Sequence, residues 1–246
     1  LGTISWECDE PHNALTDLEL AANYFSPDYT NDVDMLVGEE PDDEAEIAKR
    51  NADPEFINSL IPPMINLPEA AKVVDAMKCM NMLGILWAGR GLVPKSLVYL
   101  NASQKLYKDY IDSARVKDDK KEVESCYTHN LFYLAQAYGH LGDSAKSSEH
   151  CLETLKRQLA NGFGLGEGKT DALDWVKNCV GFSDFFLAVG QLKKASVTLL
   201  SARKVWELQR KPEQNKAWDE QMADLTRRLA TVSYTHLTLP TSYPVL

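Results

Sequence analysis

The stretch NGFGLGEGKTDALDW, residues 161–175, holds four glycines within seven residues and then Lys169-Thr170. That composition suits a loop whose backbone N–H groups surround a phosphate. The register does not. A phosphate loop places glycine, four residues, then Gly-Lys-Thr, and counting back from Gly168-Lys169-Thr170 the glycine position is Phe163. Gly162 is one residue early, and the preceding CLETLKRQLA reads as helix where a strand is needed. The dinucleotide pattern G-x-G-x-x-G, started at Gly162 and Gly164, arrives at Glu167. The stretch is therefore expected to be an inter-helix loop.

His129, His140, His150 and Cys151 are metal-ligand types, but none falls in the close pairs, C-x₂-C or H-x₃-H, that structural zinc uses. His129 is expected to pack or to cap. Cys126 and His129 share a helix face, yet no orienting partner or oxyanion donor accompanies them, so Cys126 reads as core. Cys8, Cys79, Cys126, Cys151 and Cys179 are odd in number, widely spaced and mostly set in apolar helical text, the usage of reduced cysteines in the cytosol. Lys156-Arg157 reads as a solvated helix face. No catalytic residue, metal or cofactor is expected, and the chain does not read as an enzyme.

The elements around these residues have an ordinary globular composition: 246 residues, 44% hydrophobic and 25% charged. The net charge of −10 is unevenly placed, because residues 1–48 carry fourteen Asp and Glu and no Lys or Arg. Without a clustered basic face the chain is not expected to bind nucleic acid. No apolar run spans a membrane. An acidic front would favour a basic partner; the alternative, which is the preferred reading, is that DVDMLVGEEPDDEAE, 32–46, is a solvated loop that adds solubility. The leading Leu1 suggests a start inside a longer protein. The uncharged, Thr-rich VSYTHLTLPTSYPVL, 232–246, breaks from the helical text before it and is expected to be a non-native tail resembling translated sequencing adapter.

A repeat organises the rest. From Leu83, positions 0, 1, 4, 13, 17 and 20 hold Leu83, Gly84, Trp87, Ser96, Leu100 and Ser103. From Leu134 they hold Leu134, Ala135, Tyr138, Ser147, Cys151 and Thr154, and from Phe182, Phe182, Ser183, Phe186, Ala195, Leu199 and Ala202. Large, small, aromatic, then small, large, small describes two antiparallel helices packed closely. The units lie 51 and 48 residues apart, longer than the usual tetratricopeptide period. Three helix pairs are expected, turning at Gly89 and Gly91, at Gly142-Asp143 and at Gly190, with a further amphipathic helix over 13–25. Residues 1–30 then read as a truncated first pair, 31–69 as an acidic, Pro-containing linker and 70–231 as the repeats.

YTHNLFYLAQAYGHL, 127–141, continuing to CLETLKRQL, 151–159, resembles the kinesin-binding protein family, and NMLGILW, 81–87, and LYKDY, 106–110, match it in the same order. The resemblance is clear over roughly 70–205. It implies a right-handed α-solenoid of tetratricopeptide-like helix pairs, of which this chain holds an amino-terminal part. It also implies a non-catalytic, cytoplasmic and cytoskeleton-associated protein that engages kinesin motor domains, blocks their microtubule attachment and so regulates transport. No nucleic acid, membrane or small-molecule substrate is expected as a partner. On the family pattern the partner-binding positions here are Tyr133, Gln136 and Gln158, while Gly181 lacks the polar side chain expected in the groove. The other reading is a general tetratricopeptide adaptor for a peptide or chaperone, which requires a regular Asn, Lys and Arg set that this chain lacks.

Overall fold

Glycine punctuates the chain at three equivalent places, and the helix pairs are built around them. The structure, a computed structural model, describes residues 11–26, 33–39, 43–62, 65–164, 169–209 and 216–238. Its helices are α1 (Pro11–Phe25), α2 (Val33–Val37), α3 (Glu44–Asn51), α4 (Pro54–Ser59), α5 (Val73–Gly89), α6 (Val93–Tyr110), α7 (Lys120–His140), α8 (Ser144–Asn161), α9 (Ala172–Ala188), α10 (Leu192–Gln209) and α11 (Lys216–Thr238). A short 3₁₀ turn, Ala114–Val116, precedes α7. The fold class is all-α; among the described residues the one β-type pairing is an isolated bridge between Phe163 and Thr170.

The pairs α5/α6, α7/α8 and α9/α10 turn in the same way. Gly91, Gly142 and Gly190 have φ of 82°, 79° and 69°, the left-handed conformation that ends a helix without a Cβ penalty. Around them the aromatic carbonyl of Trp87, Tyr138 or Phe186 accepts from the N–H five residues on, at 3.0, 2.9 and 2.8 Å. These are the long bonds of a Schellman motif, and they put the same turn after each aromatic. All eighteen positions of the three-fold pattern are buried.

The chain divides after His150, inside α8, into two units. In the first, α5 packs against α6, α6 and α5 both pack against α7, and α1 lies along α5. Gly84 shows why a small residue is needed: a Cβ there would sit 2.5 Å from Leu100 Cδ2 and 2.6 Å from its Cγ. Asn81 and Asn130 tie three helices together. Asn130 Nδ2 donates to Asn81 Oδ1 at 2.8 Å and to the Leu100 carbonyl at 2.9 Å, and Asn81 Nδ2 donates to the Cys126 carbonyl at 3.2 Å.

The segment 31–69 is more than the linker its composition suggested. Val33, Ile57, Leu60, Ile65 and Leu67 are all buried in the first unit's core. Arg115 donates to the carbonyls of Leu67, Pro68 and Ala71, and the Tyr110 hydroxyl donates to the Ile65 carbonyl and accepts from Leu67 N–H. The Asp and Pro content dominated the reading, whereas the widely spaced apolar side chains suffice to bury this backbone once a guanidinium satisfies its carbonyls.

In the second unit α9 packs against α10, and α11 packs against both. The Trp175 indole N–H donates to the Leu155 carbonyl at 3.1 Å, the Trp206 indole to the Trp218 carbonyl at 2.9 Å, and Arg228 bonds Asp184 and Asp224. Helix α11 continues to Thr238, past the compositional break at 232, and Val232 is buried. Cys8 and residues 239–246 lie outside the described residues.

Candidate functional site

Helix α5 presents Lys78, Asn81, Met82 and Ile85, spaced i, i+3, i+4 and i+7, so they form one stripe. Helix α7 opposes it with Glu122, Ser125, Cys126, His129 and Tyr133, a stripe of the same period. Between them runs an open groove of about 410 Å³. Lys78 and Glu122 are joined by a hydrogen-bonded ion pair across it, which raises the Lys78 pKa. Its base is the Asn81–Cys126 contact, with Asn81 Nδ2 3.3 Å from the Cys126 sulfur.

Tyr133 and Gln136 share this side of α7, the tyrosine half-buried and the amide exposed. Burial raises the Tyr133 pKa, so its phenol stays a hydrogen-bond donor at neutral pH. The Tyr133 ring meets Phe132 edge-on, with centroids 5.7 Å apart. Gln158 lies in the second unit with surroundings of its own: it is half-buried, and its Oε1 accepts from Asn178 Nδ2 at 3.4 Å. Gly181 is exposed, and a Cβ there would meet nothing within 4 Å. Leu83, Gly84, Trp87, Leu134, Ala135, Tyr138, Phe182, Phe186 and Ala195 are buried inside their units. Sequence reasoning missed Lys78, Met82, Ile85 and Glu122 as groove residues. The signal was present as two helical stripes, but it cannot be told from a solvated face until the neighbouring helix is placed.

His129 corrects the expectation of a packed or capping residue, for it is exposed and lines the groove. His150 is the histidine that packs: its ring stacks on Tyr138 at 5.5 Å with planes 12° apart, and burial lowers its pKa to about 4. Cys79, Cys126, Cys151 and Cys179 are buried thiols. Burial pushes Cys79 and Cys126 up to about 12, so neither is a thiolate at neutral pH. Among the described residues no three His, Cys, Asp or Glu are grouped to hold a metal ion, and no helix is long and apolar enough to cross a membrane. Asn101-Ala-Ser103, which matches the N-glycosylation acceptor pattern, is buried, and the Asn101 amide donates to the Leu60 carbonyl at 3.3 Å.

Two charged residues of the glycine-rich loop, Lys169 and Asp171, serve helix ends. Lys169 Nζ donates to the Asn161 carbonyl at 2.7 Å, satisfying the carboxyl terminus of α8. Asp171 accepts from the N–H groups of Leu173 and Asp174 at 2.8 and 3.1 Å, so a carboxylate already occupies the amino terminus of α9 where an anion would bind. Residues 165–168 lie outside the described residues.

No protein-family model matches the chain. Human KIF-binding protein is 30% identical over an alignment of 129 residues, covering 45% of this chain and 20% of the human protein. The Drosophila melanogaster protein of that name is 31% identical over 162 residues, covering 58% and 26%, and that of Danio rerio 28% over 141 residues, covering 50% and 21%. The chain is similar to KIF-binding proteins. The match spans about a fifth to a quarter of the length of these relatives. These relatives are named as binding proteins.

Proposed function

We propose that this chain binds kinesin motor domains without covalent chemistry and keeps them from their microtubule attachment, thereby regulating microtubule-based transport in the cytoplasm. The similarity to the KIF-binding proteins carries this reading. The groove between α5 and α7 supports it, because aromatic and amide side chains beside an apolar stripe suit a protein partner. Tyr133 and Gln136 are the proposed contacts on α7, and Gln158 a further contact from the second unit. The large acidic excess of residues 1–48 adds attraction for a basic surface, which makes association sensitive to salt.

The test is capture of a panel of kinesin motor domains by the chain, with microtubule co-sedimentation of each captured motor. The expected outcome is binding by the parent, release of the motor from microtubules, and loss of capture by Tyr133→Ala, Gln136→Ala with unchanged helicity. Gln158→Ala is assayed separately and is expected to weaken capture. A folded parent that captures no motor domain would overturn the reading.

A further inference from the structure

A polar pocket of about 380 Å³ opens where α1, α2 and α6 meet in the first unit. Helix α1 lines it with Glu19 and Leu20, α2 with Val33 and Asp34, and α6 with Lys95 and Tyr99. None of its lining residues belongs to the groove between α5 and α7. Three of its polar groups are incompletely used. Tyr99 is 3% exposed, yet its hydroxyl makes no hydrogen bond among the described residues and opens to the pocket. Burial, with Glu19 and Asp34 nearby, raises the Tyr99 pKa, so the group stays a neutral phenol. Glu19 is half-buried and has no hydrogen-bond donor among the described residues. Burial raises its pKa, while Lys95, Asp34 and Arg90 act on it through space. Lys95 sits over the Trp87 ring, 3.9 Å from its centre, and donates to Asp34 at 2.7 Å, which leaves its other N–H donors for a ligand.

We propose that this pocket binds a small zwitterion, an α-amino acid with an apolar side chain. The charges decide the class. A bare cation would meet the Lys95 ammonium, a bare anion would meet Glu19 and Asp34, and an uncharged apolar ligand would leave Glu19 without a donor. An α-amino acid meets all three groups. Its ammonium donates to the Glu19 carboxylate and to the Tyr99 oxygen, and its carboxylate accepts from Lys95. Leu20, 72% exposed, and the buried Val33 supply the apolar wall that a leucine-sized side chain covers. The volume lies within the range of small-molecule pockets. The inference stands apart from the motor-binding reading, because it uses none of the residues of that groove.

The experiment titrates the whole chain with L-leucine by calorimetry. Isoamylamine, which lacks the carboxylate, and isovalerate, which lacks the ammonium, are the controls. Saturable binding with a Kd below about 1 mM is expected for leucine, and a Kd at least about tenfold weaker for either control. Glu19→Gln is expected to weaken leucine at least about tenfold, the loss of one charge-assisted bond, and Tyr99→Phe by about three- to tenfold. Glu19 is half-buried and Phe keeps the Tyr99 ring, so both variants are expected to fold, checked by melting curves. The controls on the parent decide the question even where a variant melts early. Absence of leucine binding to the parent overturns the proposal, as does equal binding to a folded Glu19→Gln, or either control binding as tightly as leucine.

Discussion

Gly84→Ala should destabilise the protein although glycine in a helix interior is ordinarily a weakness. On propensity alone, replacing a mid-helix glycine by alanine gains about 1 kcal/mol. At Gly84 the new methyl would lie 2.5 and 2.6 Å from Leu100 Cδ2 and Cγ, and 3.4 Å from the Ser96 carbonyl oxygen. Carbon atoms in contact prefer about 3.5–4.0 Å, so Leu100 must move by about an ångström. Leu100 is 1% exposed, and overpacking of this kind costs typically about 1–3 kcal/mol, here near the upper end because two of its carbons lie well inside contact distance. The net expectation is a loss of about 1–2 kcal/mol. Gly181 is the internal control. It sits within α9 with nothing within 4 Å of a built Cβ, so Gly181→Ala should stabilise by about 0.5–1 kcal/mol. Urea unfolding followed by circular dichroism reads both, and Leu100→Ala added to Gly84→Ala should recover part of the strain. A Gly84→Ala protein as stable as the parent would refute the close-approach argument.

His150 predicts an acid-sensitive component of stability. Its pKa is lowered from 6.5 to about 4 in the folded protein, so the unfolded chain takes up the proton first as pH falls. The contribution is complete above about pH 6.5, is lost between there and pH 4, and is flat below, with a ceiling of about 3 kcal/mol for this half-buried ring. His150→Phe keeps the stack on Tyr138 and should flatten that part of the stability profile relative to the parent; parallel profiles would contradict the assignment. The cysteines supply a second measurement. With Cys79 and Cys126 held near 12 by burial, both should resist iodoacetamide at pH 8 in the native protein and react on unfolding, as read by peptide mass. Rapid native labelling of either would contradict their place in the core.

The sequence by itself determined the helix pairs, because their spacing is a local matter. Trp87, Tyr138 and Phe186 precede their turn glycines by the same interval, and the glycines Gly91, Gly142 and Gly190 follow because a left-handed residue is needed wherever a Schellman turn reverses the chain. The small residues at Gly84, Ala135 and Ser183 were legible for a similar reason: one face of a helix records what its neighbour demands. The register of the glycine loop could be read locally, but not that Lys169 and Asp171 serve the ends of α8 and α9. Only the tertiary structure decided the rest. Ile65 and Leu67 read as linker residues until Arg115 and Tyr110, more than forty positions away, satisfied their backbone. The groove between α5 and α7 is hidden in the same way. Its residues are ordinary surface stripes in the sequence, and they face one another because α5 packs against α7, an arrangement that depends on packing between distant segments and on no local pattern.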